Sequence, residues 1–179
     1  SSFTVDSAEK VCGDGDMNIV SAMSELVSRS LIQEDDTRIG FDTEEALRFR
    51  ILQPVRAFAA EWLASDPKKS EVESAHAYHY FDLVERLRSQ AWATDPRFMN
   101  LLESEIENIR AALNWGRTHD VSASLLALDA ICPFLHARGH CREWRPWLET
   151  VLAEHEQTLD QRVLAAALHS SSALAYGTS

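Results

Sequence analysis

At 179 residues with an apolar fraction of 45%, the chain can bury one large core or two small ones, which excludes a disordered or fibrous polymer. Its net charge of -11 opposes binding to phosphate backbones unless the few cations cluster. Three scattered cysteines without a CxxC exclude a disulfide framework and fit free thiols in a reducing cytoplasm, and no apolar run reaches the roughly 18 residues of a membrane helix.

In chain order, residues 5–12 read as a short helix with Asp6 and Ser7 available as caps and Gly13 as its stop. Asp14-Gly15-Asp16 is a turn. Residues 18–29 place Ile19, Met23, Leu26 and Val27 on one helical face, with Asp16 or Asn18 as cap. A short strand follows at Leu31–Glu34, then an acidic loop at 35–46. Residues 47–52, LRFRIL, alternate apolar and basic side chains, the pattern of a half-buried strand that can pair with the first across the loop. Pro54 opens a helix to about Ala64, expected to bury Val55, Phe58, Ala59, Trp62 and Leu63. The polar break at 65–69 marks a domain boundary, giving domains at 1–66 and 67–179.

Everything after the break carries the helical period. Residues 72–93 place Ala75, Tyr78, His79, Leu83 and Leu87 inward, and Thr94-Asp95-Pro96 ends the run. Residues 97–117 form an antiparallel partner with Ile106, Ile109, Leu113 and Trp115 on one face. Residues 121–138 carry Leu125, Leu128, Ile131 and Leu135. Residues 142–155 carry Trp144, Trp147, Leu148, Val151 and Leu152, and 160–176 begins a third hairpin. Short connections make consecutive helices antiparallel neighbours, so the second domain reads as a solenoid of helical hairpins. The fold class is mainly α: a winged-helix domain followed by a TPR-like array.

Several segments carry a resemblance. GDMNIVSAMSELVSRSLIQED, LRFRILQPVRAFAAEWL, SAHAYHYFDLVERL, LLESEIENIRAALNWG and FLHARGHCREWRPWLETVLAE resemble the winged-helix and helical sensor regions of bacterial STAND-class regulators. Arg48, Leu52 and Arg56 carry it most specifically, with Glu105, Asn108 and Arg110 to Leu113, and Arg138-Gly139-His140 leading to Trp147-Leu148. Those regulators are ATPases related to NB-ARC proteins. The sequence departs from them in lacking GxxxxGK[ST] and an apolar run ending in Asp, so ATPase activity does not transfer. The resemblance implies a regulatory segment of a larger transcriptional regulator, partnered by the nucleotide-binding domain of the parent chain and by a protein or small-molecule effector.

No constellation reads as catalytic, and no cofactor or metal is expected. Cys132, His136, His140 and Cys141 have no zinc spacing, so they read as a helix end. Glu103, Glu105 and Glu107 point in different directions around a helix; Glu105 is expected to make an inter-helix hydrogen bond, with Asn108 and Arg110 as anchors. Residues 1–66 hold 6 Lys+Arg against 13 Asp+Glu, a net of -7, and residues 18–29 show mainly serines outward. This predicts no direct nucleic-acid binding. A DNA-binding winged-helix factor and an oligomerising helical scaffold are the alternatives.

The candidate partner-binding residues form three groups. Arg48, Arg50 and Arg56 are the basic cluster, expected to pair with the acidic loop (Asp35, Asp36, Asp42, Glu44, Glu45) or to dock a partner domain. Arg138, Arg142 and Arg145 surround Trp144, which either anchors helix packing or lines a groove for an acidic or aromatic ligand. Leu164 and Leu168 lie on a final helix whose open apolar face is expected to pair with a second copy, as a homodimer. Trp147 is expected to be more deeply packed than Trp144.

Overall fold

The computed structural model describes residues 2–13, 15, 17–35, 46–88 and 95–176. It opens with strand β1 (Ser2–Thr4), too short to show a period in the sequence. Thr4 ends the strand and caps helix α1 (Val5–Cys12), its Oγ1 accepting from the amide of Ser7. Asn18 caps α2 (Ile19–Ser28) in the same way, through the amide of Ser21. Strands β2 (Ile32–Asp35) and β3 (Arg48–Ile51) pair antiparallel, with Ile32 opposite Ile51 and Asp35 opposite Arg48. β1 takes the other edge of β3, giving the sheet order β1-β3-β2. Helix, helix and a hairpin across a three-stranded sheet make a winged helix-turn-helix. Its core is Ile19, Met23, Ile32 and Phe49, lined by Phe3, Val5, Ala8 and Val27.

Helix α3 (Gln53–Ser65) follows, with Pro54 in its first turn. The expected buried face is not buried: no residue of α3 is. Phe58 is 59% and Trp62 69% exposed, and their rings lie against each other with centroids 5.5 Å apart. An i, i+3, i+4, i+7 stripe makes a helix amphipathic without specifying what covers it. Val55 and Leu63 of that stripe are half-buried, while Phe58 and Trp62 stand uncovered among the described residues.

The remaining helices are α4 (Lys69–Arg88), α5 (Pro96–His119), α6 (Val121–Arg138), α7 (Cys141–His155) and α8 (Gln161–Tyr176), with a 3-10 turn at Glu156–Thr158. Each boundary has a local cause. Asp95, Asp120 and Asp160 accept from amides in the first turns of α5, α6 and α8. Gly139, at φ 77°, turns the chain left-handed after α6, and the His140 amide donates to the Leu135 carbonyl at 2.8 Å. On α4 the inward residues are Ala77, Tyr80, Phe81 and Val84 with the expected Leu83 and Leu87. Tyr78 is instead 45% exposed, its hydroxyl donating to Asp120 Oδ2 at 2.9 Å.

Helix α6 is the centre of the second core. Ten of its residues are buried, among them Leu125, Leu128, Ile131 and Leu135. Its 18 residues are long and apolar enough for a membrane span, and that composition is accounted for by packing against α4, α5 and α8. Two features hold the helices close. A Cβ on Gly116 would lie 2.6 Å from Ser124 Cβ and 3.0 Å from Phe81 Cζ, so only glycine lets α4, α5 and α6 meet there. Buried Asp129 lies 3.0 Å from Arg88 and accepts from His169 Nδ1 at 2.7 Å and Ser170 Oγ at 3.2 Å, tying α4, α6 and α8 together.

The two tryptophans of α7 reverse the expected order. Trp144 is 2% exposed within the core, while Trp147 is half-buried and donates its indole N–H to Asn114 Oδ1 at 3.0 Å. Both fit the helical period, and only the position of α5 and α8 decides which faces inward. Truncating a fully buried Trp costs about 3 to 5 kcal/mol. Trp144→Ala is therefore expected to lower the melting temperature clearly more than Trp147→Ala. A larger loss for Trp147→Ala in parallel melts would refute the packing described.

Candidate functional site

The most specific chemistry in the molecule lies where the winged helix meets α4 and α5. Arg48 is fully buried on β3, and its Nη1 sits 2.7 Å from Glu105 Oε1 on α5, itself only 3% exposed. The same guanidinium donates from Nε to Ser2 Oγ at 2.9 Å and from Nη2 to the Ser2 carbonyl at 3.1 Å. Asn108, one helical turn beyond Glu105, donates to Glu105 Oε2 at 2.6 Å and to the Ser2 carbonyl at 2.9 Å. Strand pairing fixes Arg48 opposite Thr4, so the register of the sheet aims it at α5.

The network continues along α1 and α4. Ser7 Oγ lies 3.0 Å from Thr4 Oγ1 and 3.2 Å from His79 Nε2. Burial, then the negative charge of Glu105, pushes the Tyr80 phenol well above its ordinary range. Burial holds His76 below the ordinary histidine value, helped by His79. Burial also holds His79 low, helped by the charge of Lys10, against the pull of Asp6 and Glu105. The apolar cores on the two sides are separate clusters. The seam between them is dominated by this polar network rather than by a shared core.

The second candidate surface is the outward side of α2. Val20, Ser21, Ser24, Glu25 and Ser28 are exposed there. Ser24 Oγ and Ser28 Oγ donate to the carbonyls of Val20 and Glu25, each at 2.8 Å, which leaves their oxygen lone pairs facing out. Arg29 pairs with Glu25 at 2.5 Å, both groups well exposed. An open depression of about 710 Å³ runs along Glu9, Met17, Asn18, Val20 and Ser21 at the turn between α1 and α2.

The winged helix-turn-helix domain family matches residues 1–64. That is the part of the chain holding β1 to α3. Over 173 residues the chain is 28% identical to proteins of Mycobacterium bovis and of two strains of Mycobacterium tuberculosis, each named as an HTH-type transcriptional regulator. The match covers 93% of this chain and 19% of each relative, so the chain spans about a fifth of their length. No solved structure matches.

These findings overturn the expectation that nucleic acid is not a direct partner. The charge count behind it averaged over the whole of residues 1–66, including the acidic loop. A helix-turn-helix reads DNA with a few groups on one helix, and serine hydroxyls contact phosphates and base edges without carrying charge.

The other sequence-derived residues are placed as follows. Arg48 is buried and belongs to the seam, so it offers nothing to an external partner, whereas Arg50 and Arg56 are exposed. Of the acidic residues they were expected to pair with, Asp36, Asp42, Glu44 and Glu45 lie outside the described residues, and Asp35 stands opposite Arg48 in the sheet. The groove around Trp144 is not formed, because its indole lies inside the core. Arg138 instead donates to Asn100 at 3.0 Å beside Glu103, Arg145 donates to Glu149 at 2.9 Å, and Arg142 is exposed. Arg110 pairs with Glu107 and, at 2.6 Å, with Glu143 of α7, the anchor between hairpins that its position implied. Leu164 is half-buried and Leu168 52% exposed on α8. Cys132 and Cys141 are buried while His136 is exposed, so they do not converge; burial pushes the Cys132 thiol up to about 11. Sequence reasoning missed Ser2 and Tyr80, whose roles come from neighbours distant in the chain, and took Ser7 for a cap where it instead donates its amide to the cap Thr4 and meets His79.

Removing one partner of a buried ion pair leaves an uncompensated charge, at about 3 to 5 kcal/mol. Arg48→Met is expected to destabilise the chain by that order in chemical denaturation, and exposed Arg50→Met by less than about 0.5 kcal/mol. Similar losses for the two variants would contradict the burial of Arg48.

The histidines set a pH dependence. Both have folded-state values below the ordinary 6.5, so the unfolded chain takes up protons first as pH falls. Their contribution is present above about pH 6.5 and is lost on acidification. Melts between pH 7 and 5 are expected to show falling stability, with a shallower fall in a His76→Gln, His79→Gln variant. An unchanged slope in that variant would remove these histidines from the effect.

Proposed function

We propose that this chain is the DNA-binding winged helix and adjoining helical array of a transcriptional regulator, with α2 as the helix that enters the major groove. The observation that carries it is the winged helix-turn-helix match over residues 1–64, joined to a second helix whose outer face is uncovered among the described residues. Names of the mycobacterial relatives support the same reading. Ser21, Ser24 and Ser28 would contact phosphates or base edges, and Glu25 would accept from a cytosine amino group. Arg29 would leave Glu25 for a phosphate.

The finer form of the proposal follows the STAND-class resemblance. The division at about residue 66 separates a reader from a TPR-like sensor array, and the array reports the state of a longer parent chain to the winged helix. Support comes from the seam: Arg48, Glu105 and Asn108, among the residues that carry the resemblance, are the ones in contact. This reading assigns no chemistry to the chain itself.

Selection from a random duplex pool, followed by anisotropy titration, tests the proposal. A preferred sequence is expected, with affinity falling steeply as salt rises. Ser21→Glu with Ser24→Glu adds two charges to the outer face of α2 without touching its core and is expected to weaken binding at least about tenfold. Absence of any selected sequence, or equal affinity of the variant, would sink it.

A further inference from the structure

The two apolar cores leave one convergent set of apolar side chains unused. Val11 near the end of α1, Met17 before α2, Leu63 near the end of α3, and Val72 and Ala75 on α4 belong to neither cluster nor to its lining. They meet instead around a cavity of about 290 Å³. Four of them are half-buried and Met17 is 49% exposed, so their apolar surface borders that space rather than packed protein.

Apolar walls drawn from several elements are what a small-molecule site is made of, and this volume lies at the lower end of such sites, about 300 to 1,000 Å³. At the ~30 Å³ that a water molecule takes up in the liquid, it has room for about ten heavy atoms. A neighbouring hollow of about 350 Å³ has a different character, because Lys10, His79, Asp82, Glu85 and Arg86 line it without an apolar wall.

The rim of the apolar cavity selects a charge. Lys10 is held by Asp6 at 2.7 Å, and Lys68 is engaged as well. Lys69 next to it pairs with Glu73 at 3.8 Å. Asp66 accepts the Lys68 amide through Oδ1 at 2.7 Å. Glu71, exposed in the first turn of α4, has no side-chain partner among the described residues. The rim thus offers a carboxylate while its lysines are taken. The net charge of -11 adds a field that draws cations to the surface and repels anions.

We propose that this cavity binds a small apolar amine, its hydrocarbon body against Val11, Leu63, Val72 and Ala75 and its ammonium donating to Glu71 and Asp66. The proposal does not depend on the DNA-binding reading.

Calorimetry on the full chain compares phenethylamine, phenethyl alcohol and hydrocinnamate, one-ring molecules of similar size that are cationic, neutral and anionic. Phenethylamine is expected to bind with a Kd of about 1 mM or tighter. It is expected to bind at least about tenfold more tightly than hydrocinnamate, the worth of one hydrogen bond to a charged group, with the alcohol between them. The location is read at Cys12, which lines the cavity and is exposed while Cys132 and Cys141 are buried. With the amine at about four times its Kd, reaction of Cys12 with a neutral pyridyl disulfide is expected to slow about fivefold by mass action. Glu71→Gln, at an exposed position, is expected to bring the amine to the affinity of the alcohol. Ala75→Leu fills the cavity and is expected to abolish binding of all three; if it does not fold, Glu71→Gln and Cys12 carry the test. No saturable binding of phenethylamine up to about 10 mM, or binding that leaves the Cys12 rate unchanged, overturns the site. Equal affinity for the amine and hydrocinnamate, or a preference for the amine that survives in Glu71→Gln, overturns the ligand class.

Discussion

The contact between Arg48 and Glu105 is the constraint on which the arrangement of this molecule depends. A guanidinium with no solvent exposure must have its charge and donors met inside the protein. Glu105 supplies the charge, and Ser2 supplies two acceptors from the neighbouring strand. Glu105 in turn is steadied by Asn108, which also reaches Ser2. Strand β1, strand β3 and helix α5 are therefore placed relative to one another by a handful of directional bonds. Apolar burial would tolerate a range of angles; this network tolerates few.

That choice of polar seam has consequences on both sides. The winged helix has a small core, four buried apolar residues with a partial lining, and it leaves the whole of α3 outside. The helical array has a large continuous core built around α6, whose face toward α8 also carries the buried Asp129 and its three partners. The apolar clusters of the two units are separate, so the seam between them is free to be polar.

The reversal over DNA has a physical lesson. Net charge describes the long-range field of a domain, while recognition depends on which groups occupy one helix face. On α2 that face holds hydroxyls and one exposed Glu25–Arg29 pair. Acidic residues elsewhere in the first 66 positions outweigh it in any sum.

Helix placement was legible in the sequence because it depends on local causes. Val5–Cys12 and Val121–Arg138 agree with the structure, since the glycine stops and the apolar period act within a few positions, although Thr4 and not Asp6 or Ser7 caps the first of them. The winged-helix plan was legible for the same reason, through the alternation of LRFRIL. The function of individual faces was not. Trp144 and Trp147 are three residues apart on one stripe, and the positions of α5 and α8 decided which is core. Phe58 and Trp62 carry the pattern of a buried face and are exposed, because periodicity records what a helix can bury and not what lies against it. Ser2 and Glu105 are separated by about a hundred positions, so the site they form with Arg48 existed only once the sheet register and the stacking of α4 and α5 had brought them together.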